Sequence, residues 1–167
     1  KVEMLRREQG LTTHMEATVA PGDDVEIRHI TVTNEQDVER VIEFTSYAEV
    51  VLAPPLDDER HPAFSKMFVG SSYLPDQDGL LREGLSRSTG WTLDPIMALQ
   101  VRVQLKPLET KQFSLLTIVA NTRAAVFEVA RKYQTPDLEW VFDEASRDQA
   151  REVSRLEIDP NRLRELQ

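Results

Sequence analysis

From Met97 to Lys106 apolar and polar residues alternate. Met97, Leu99, Val101, Val103 and Leu105 form one set, and Gln100, Arg102, Gln104 and Lys106 form the other. Successive side chains of a strand point to opposite faces, so a period of two specifies a strand with one dry and one wet side. Such a strand needs partners, and the chain supplies several. Leu11, Thr13, Met15, Ala17 and Val19 alternate with Thr12, His14, Glu16 and Thr18. Val25 to Thr33 is rich in β-branched residues, which favour the pleated state. Val2 to Arg7 reads as a short strand, and Arg40 to Ala53 as a long one expected to bend or bulge. The turns between them are Glu8-Gln9-Gly10, Pro21-Gly22-Asp23-Asp24 and Asn34 to Asp37. Three successive antiparallel strands on short polar turns imply a meander or part of a sandwich.

Lys66 to Tyr73 reads as a further strand and Leu74 to Gly79 as a loop, while residues 80–90 carry no clear element. After a turn at Pro107 to Thr110, Gln112 to Ala120 is expected to return as the hairpin partner of the Met97–Lys106 strand. It is apolar on both faces, which calls for cover on both sides, a helix supplying one.

At Asn121 the period changes. Asn121 or Thr122 can cap a helix whose stripe is Ala125, Val126, Val129, Ala130 and Tyr133. Thr135-Pro136 reads as a cap followed by proline at the first helical position. The helix it opens is expected to reach about Leu156 on Leu138, Val141, Phe142, Ala145, Gln149 and Val153, with Trp140 docking it to the sheet. Asp159-Pro160 opens a last short helix carrying Leu163 and Leu166. The fold class is therefore mainly β (α+β by element order). An antiparallel β-sandwich over residues 1–120, short or incomplete near 80–90, is followed by a helical extension or linker over 121–167.

The formal net charge of -9 disfavours partners that need a basic surface, nucleic acid and anionic membrane among them. No apolar run is long enough to span a bilayer. The chain has no cysteine, which removes disulfides and thiolate metal sites and leans the compartment towards the cytoplasm. It opens in mid-strand at Lys1 without a start methionine, so a piece of a longer polypeptide is expected.

Few residues have the spacing of chemistry. His14, His29 and His61 stand apart from other ligand types, so no metal site and no cofactor are expected. There is no phosphate-cradling glycine loop and no nucleophile elbow. Glu43, Glu49 and Asp94 are the carboxylates to weigh for glycoside chemistry, which needs an acid of raised pKa. Glu43 and Glu49 alternate with apolar neighbours on a strand and read more simply as facing solvent or an arginine. The stretch Thr45 to Phe64 ends an apolar run at Pro54-Pro55 and passes through Asp57-Asp58-Glu59 to His61-Pro62-Ala63-Phe64. Its structural reading is a strand leaving a sheet into a surface loop. Its functional reading sets Tyr47, Glu49, His61 and Phe64 at a substrate rim. Trp91, in Ser88-Thr-Gly-Trp-Thr, is the aromatic best placed to stack on a sugar ring, against burial under its own loop.

The segments TSYAEVVLAP and HPAF, Asp24 to Asn34, Leu85 to Ile96, and Arg131 to Gln134 with the helix after it occur in one order along the chain. In these the sequence resembles the β-sandwich region of the glycoside hydrolase family 94-like module of cyclic β-1,2-glucan synthases, related to cellobiose and chitobiose phosphorylases. The family's Asp-Arg…Phe-Gly motif is missing near residues 80–90. In that family the acid and phosphate ligands sit in a separate C-terminal helical barrel, so the resemblance carries no catalytic residue onto this chain. It implies a non-catalytic fragment supporting glucosyl transfer or phosphorolysis on β-glucans. The partners implied are a β-glucan or oligosaccharide reached through the parent protein and the helical barrel of the same polypeptide, with a homodimer as a further option. It implies a cytoplasmic setting, the cytoplasmic part of an inner-membrane protein included. The alternatives are an autonomous glucan-binding module and a purely structural or oligomerisation domain. On this reading Phe142 packs on the sheet or the preceding helix, while Leu163 and Leu166 stay partly exposed.

Overall fold

The computed structural model describes residues 1–61, 66, 70–71, 90–91, 96–135 and 137–155. In chain order the strands are β1 (Val2–Glu8), β2 (Leu11–Val19), β3 (Val25–Asn34), β4 (Arg40–Glu49), β5 (Gly70–Ser71), β6 (Gly90–Trp91), β7 (Ile96–Leu105) and β8 (Thr110–Ile118). The helices are α1 (Pro55–Arg60), α2 (Arg123–Tyr133) and α3 (Glu139–Arg155). All strand pairings are antiparallel, and the larger helices follow the last strand. The chain forms two compact units, Lys1–Asp37 with Pro107–Gln167, and Val38–Lys106.

The first unit holds a four-stranded sheet in the order β1-β2-β3-β8. Gln9 (φ 50°) and Gly10 (φ 76°) make the two-residue link from β1 to β2, the positive-φ pair that matches strand twist in tight hairpins. β2 and β3 pair from Leu11↔Asn34 to Val19↔Glu26, so the expected meander is present. The expected hairpin of β7 with β8 is not. β8 pairs with β3, from Val25↔Ile118 to Thr33↔Thr110, and β7 pairs with β4. The reason lies in the connection. Leu108 takes φ 56° and donates its N–H to the Gln36 carbonyl, and the Glu109 carbonyl accepts from Asn34 N–H. The link is thus tied to the end of β3 instead of folding back on β7.

Helices cover one end of this sheet. Ala20, Val25, Ile27, Tyr133, Leu138 and Val141 form a buried cluster, with Leu116, Ile118, Val129 and Phe142 packed against it. Of the cover expected on both faces of β8, the helical side is found at Leu116 and Ile118, and Phe142 joins the core as expected. Burial of each such aliphatic side chain stabilises by about 1.5–3 kcal/mol relative to exposure. Thr122 caps α2, its Oγ1 accepting from Ala125 N–H at 3.2 Å. The next helix begins later than Thr135-Pro136 implies. Thr135 Oγ1 accepts from Asp137 N–H, and Asp137 Oδ1 accepts from Glu139 N–H at 3.0 Å, so Asp137 caps and α3 starts at Glu139. Trp140 does not dock α3 on the sheet. It is 41% exposed and stacks on Tyr133 of α2, with ring centroids 5.9 Å apart. The last expected helix, with Leu163 and Leu166, lies outside the described residues.

Asp23, in the β2–β3 turn, fastens the end of α2 to the sheet. It accepts from Lys132 Nζ at 2.6 Å and from the Tyr133 hydroxyl at 2.8 Å. These hydrogen bonds hold its carboxyl below the usual range. Lys132 is raised by the bond to Asp23, and Tyr133 is raised by burial and then by the same carboxylate.

In the second unit β4 and β7 form a ribbon with register Arg40↔Leu105 to Glu49↔Ile96. Opposed residues share a face. Val101, Val103 and Leu105 are buried, and Leu99 is half-buried where full burial is expected from the alternation. β4 stops at Glu49, short of Ala53. The loop expected after Pro54 contains α1. Pro55 sits where a missing N–H costs nothing, Asp57 and Asp58 lie in the first turn, and Arg60 lies in the last, all favourable to the helix dipole. β5 pairs with β6 through Gly70↔Trp91 and Ser71↔Gly90. Lys66 is helical where the expected Lys66 to Tyr73 strand would begin; residues 67–69 and 72–73, and residues 80–89, lie outside the described residues.

Two outcomes follow. Val101→Ala is expected to cost about 1–3 kcal/mol in urea unfolding, and Gln104→Ala to stay within about 0.5 kcal/mol of neutral; equal losses contradict the face assignment. Asp23→Asn is expected to lower Tm at neutral pH. Because the folded carboxyl has the lower pKa, its contribution is complete above the unfolded value of about 3.9 and is lost as pH falls through the folded one. The gap between variant and wild-type Tm should therefore close on acidification below about pH 4; a gap that persists unchanged in acid shows that the charge of Asp23 contributes nothing.

Candidate functional site

The outer face of the β4–β7 ribbon carries Val41, Glu43, Thr45, Tyr47 and Glu49, opposed by Gln104, Arg102, Gln100, Ala98 and Ile96. Tyr47 and Glu49, two residues apart, project from this face together. The Tyr47 hydroxyl donates to Glu49 Oε1 at 3.4 Å, and the ring is 57% exposed. Glu43 meets Arg102 Nε at 3.6 Å and accepts from Gln100 Nε2 at 3.4 Å. The polar groups of this face largely answer one another. His61 belongs to a different element. It closes α1, donating its backbone N–H to the Asp57 carbonyl at 2.9 Å, and among the described residues no hydrogen bond ties it to the ribbon. Trp91 lies in β6, paired through its backbone to Gly70. Phe64 and Asp94 lie outside the described residues.

A groove that the sequence reading did not single out lies in the first unit, against the β2–β3–β8 sheet and the start of α3. It has a volume of about 760 Å³. Its floor follows from register. Glu16 is opposite His29, His14 opposite Thr31, and Thr31 opposite Gln112, so these side chains share one face. Asp137, Glu139, Phe142 and Asp143 supply the helical wall. His14 Nε2 is 2.6 Å from Glu3 Oε1, His29 Nδ1 is 3.0 Å from Ser114 Oγ, and Gln112 Nε2 donates to Thr31 Oγ1 at 3.2 Å. Glu16 accepts from Lys1 Nζ at 2.5 Å, a bond that holds the carboxyl below its usual range and raises the lysine. The available signal was the face shared by Val25, Ile27, His29, Thr31 and Thr33, which turns from apolar to polar along a single strand.

These groups offer hydrogen-bond donors and acceptors to a ligand. A glycosidic general acid must keep its proton at working pH, which requires a raised carboxyl. Glu16 and Asp23 are moved the other way by their cationic neighbours. Among the described residues no three His, Asp or Glu side chains converge to hold a metal ion, and no helix is long and apolar enough to cross a membrane.

The sequence pattern of the family described as "Glycosyl hydrolase 94, supersandwich domain" matches residues 1–83 and 78–136. The chain is also similar to the protein named cyclic beta-(1,2)-glucan synthase NdvB of Rhizobium meliloti, with 44% identity over 90 residues. That alignment covers 54% of this chain and 3% of the length of that relative. Antiparallel sheets followed by helices, together with the length of the family match, settle the assignment: the chain belongs to the glycosyl hydrolase 94 supersandwich domain family.

Proposed function

We propose that this chain is a non-catalytic β-sandwich module of a protein that transfers or phosphorolyses glucosyl units of β-glucans. Its part is to support a helical catalytic barrel of the same polypeptide. The observation that carries this reading is the family membership itself, joined to a similarity that spans only 3% of a cyclic glucan synthase. Nearly all of that relative's length lies outside the matched region. The side chains described here favour the same division of labour. Glu43 is engaged by Arg102 and Gln100, Glu49 by Tyr47, Glu16 by Lys1, and Asp23 by Lys132 and Tyr133. The carboxyls of Glu16 and Asp23 are held below the usual range by Lys1, and by Lys132 and Tyr133, which makes them poor proton donors, and glycosyl transfer needs one.

The test is direct. The purified chain, incubated with a β-1,2-glucan and inorganic phosphate, is expected to release no glucose 1-phosphate above a no-protein blank. It is likewise expected to transfer no glucosyl unit to an added oligosaccharide. Release that scales with protein concentration and disappears in Glu43→Gln or Glu49→Gln overturns the non-catalytic reading.

A further inference from the structure

We propose that the groove against the β2–β3–β8 sheet and the start of α3 is a binding site for a neutral polyhydroxylated ligand, a short stretch of β-linked glucan. The assignment of β-glucan as the ligand rests on the functional reading above; the polyol chemistry rests on the groove. Its volume of about 760 Å³ falls within the range of roughly 300–1,000 Å³ typical of small-molecule sites.

The lining sets the ligand class. Glu16, Asp137, Glu139 and Asp143 oppose an anion, with Lys1 the sole lysine or arginine on the groove among the described residues. A bound metal requires ligands that converge on one point, and among the described residues no such group exists. The polar groups are instead distributed along the floor and wall, and they mix donors with acceptors. A sugar hydroxyl both donates and accepts, so a row of hydroxyls suits such a lining. The half-buried Phe142 adds an apolar surface for the C–H face of a pyranose ring.

The polar groups are also held in place with capacity to spare. Gln112 uses its amide N–H₂ on Thr31, and its Oε1 has no partner among the described residues. His29 uses Nδ1 on Ser114, which leaves Nε2 open. The Glu139 carboxylate has no protein partner among the described residues. Four of the floor positions, His14, Glu16, His29 and Thr31, stand on the central strands β2 and β3, where backbone pairing on both sides fixes them, and a site on paired strands is more precise than one on loops. The β4–β7 ribbon offers the contrast. Its exposed Tyr47 could stack on a sugar, but the charges of that face are already matched with one another.

The experiment is an NMR titration of the purified chain with a β-1,2-linked gluco-oligosaccharide. Saturable shifts are expected at the Gln112 side-chain amide, the His29 ring and the Glu139 backbone. Gln112→Ala and Glu139→Ala, both at exposed positions, should each weaken binding about tenfold, the effect of losing one well-placed hydrogen bond to the ligand. Tm should hold in both, and Tyr47→Ala should bind as wild type. An oligosaccharide that causes no saturable shift overturns the proposal, as do shifts centred on the ribbon and lost in Tyr47→Ala. The two readings fail separately. Glucose 1-phosphate release overturns the non-catalytic role whatever the groove binds, and a silent groove in an inactive chain overturns only this inference.

Discussion

Val25 and Ile27 have no exposure to water, and the architecture of the first unit follows from how that is achieved. They sit on the strand with neighbours on both sides, and Tyr133, Leu138 and Val141 close over them. The helices need this contact as much as the strands do. On α3 the ion pairs Asp143–Arg147, Asp148–Arg151 and Glu152–Arg155 are all exposed, and such pairs contribute only a few tenths of a kcal/mol each. Charge on the outer surface keeps α3 soluble; apolar contact on its inner surface gives it a place. Asp23 then fixes the angle of approach by drawing Lys132 and Tyr133 to the turn beneath them.

Strand identity was legible because it is written in local periodicity. The alternations at Leu11–Val19 and Met97–Leu105 correspond to β2 and β7 with little change in their ends. Pairing was not legible to the same degree. β7 and β8 are separated by four residues with a proline at the second, a pattern that favours a hairpin. The alternative is set by two long-range backbone bonds, Leu108 to Gln36 and Asn34 to Glu109, and by a leucine held at positive φ. No local rule announces either. The start of α3 shows a smaller version of the same limit. Thr135, Pro136 and Asp137 all carry helix-start chemistry, and only the hydrogen bond from Glu139 to Asp137 shows which of the candidates caps.

The site was legible in part for the same reason. Tyr47 and Glu49 are two residues apart on one strand, so their common face can be read from spacing alone, and the structure puts them in contact. The groove assembles Glu16, His29, Gln112 and Glu139 from three strands and a helix. Their proximity depends on the register Glu16↔His29 and Thr31↔Gln112, a one-residue slip of which would turn each strand's set to the other face. Sequence did hold one clue. A strand whose dry residues give way to histidine and threonines on the same side is a strand that leaves its cover partway along.

That change along β3 divides a single sheet face between two tasks. At one end Val25 and Ile27 are taken up in docking the helices. At the other, His29 and Thr31 remain beside an open groove. α3 takes part in both: Val141 belongs to the core with Leu138 just ahead of the helix, while Glu139 and Asp143 stand on the groove wall, with Phe142 between the two roles. Residues three and four apart share a side of a helix, so one turn of α3 can serve the two surfaces at once. The consequence is thermodynamic linkage. A ligand that bridges the sheet floor and the α3 wall binds only when α3 is docked, and it therefore stabilises the docked state by an amount that grows with the logarithm of its concentration above Kd. Loosening the core at Val141 and weakening the groove at Glu139 then act on one equilibrium, the seating of α3 on β3.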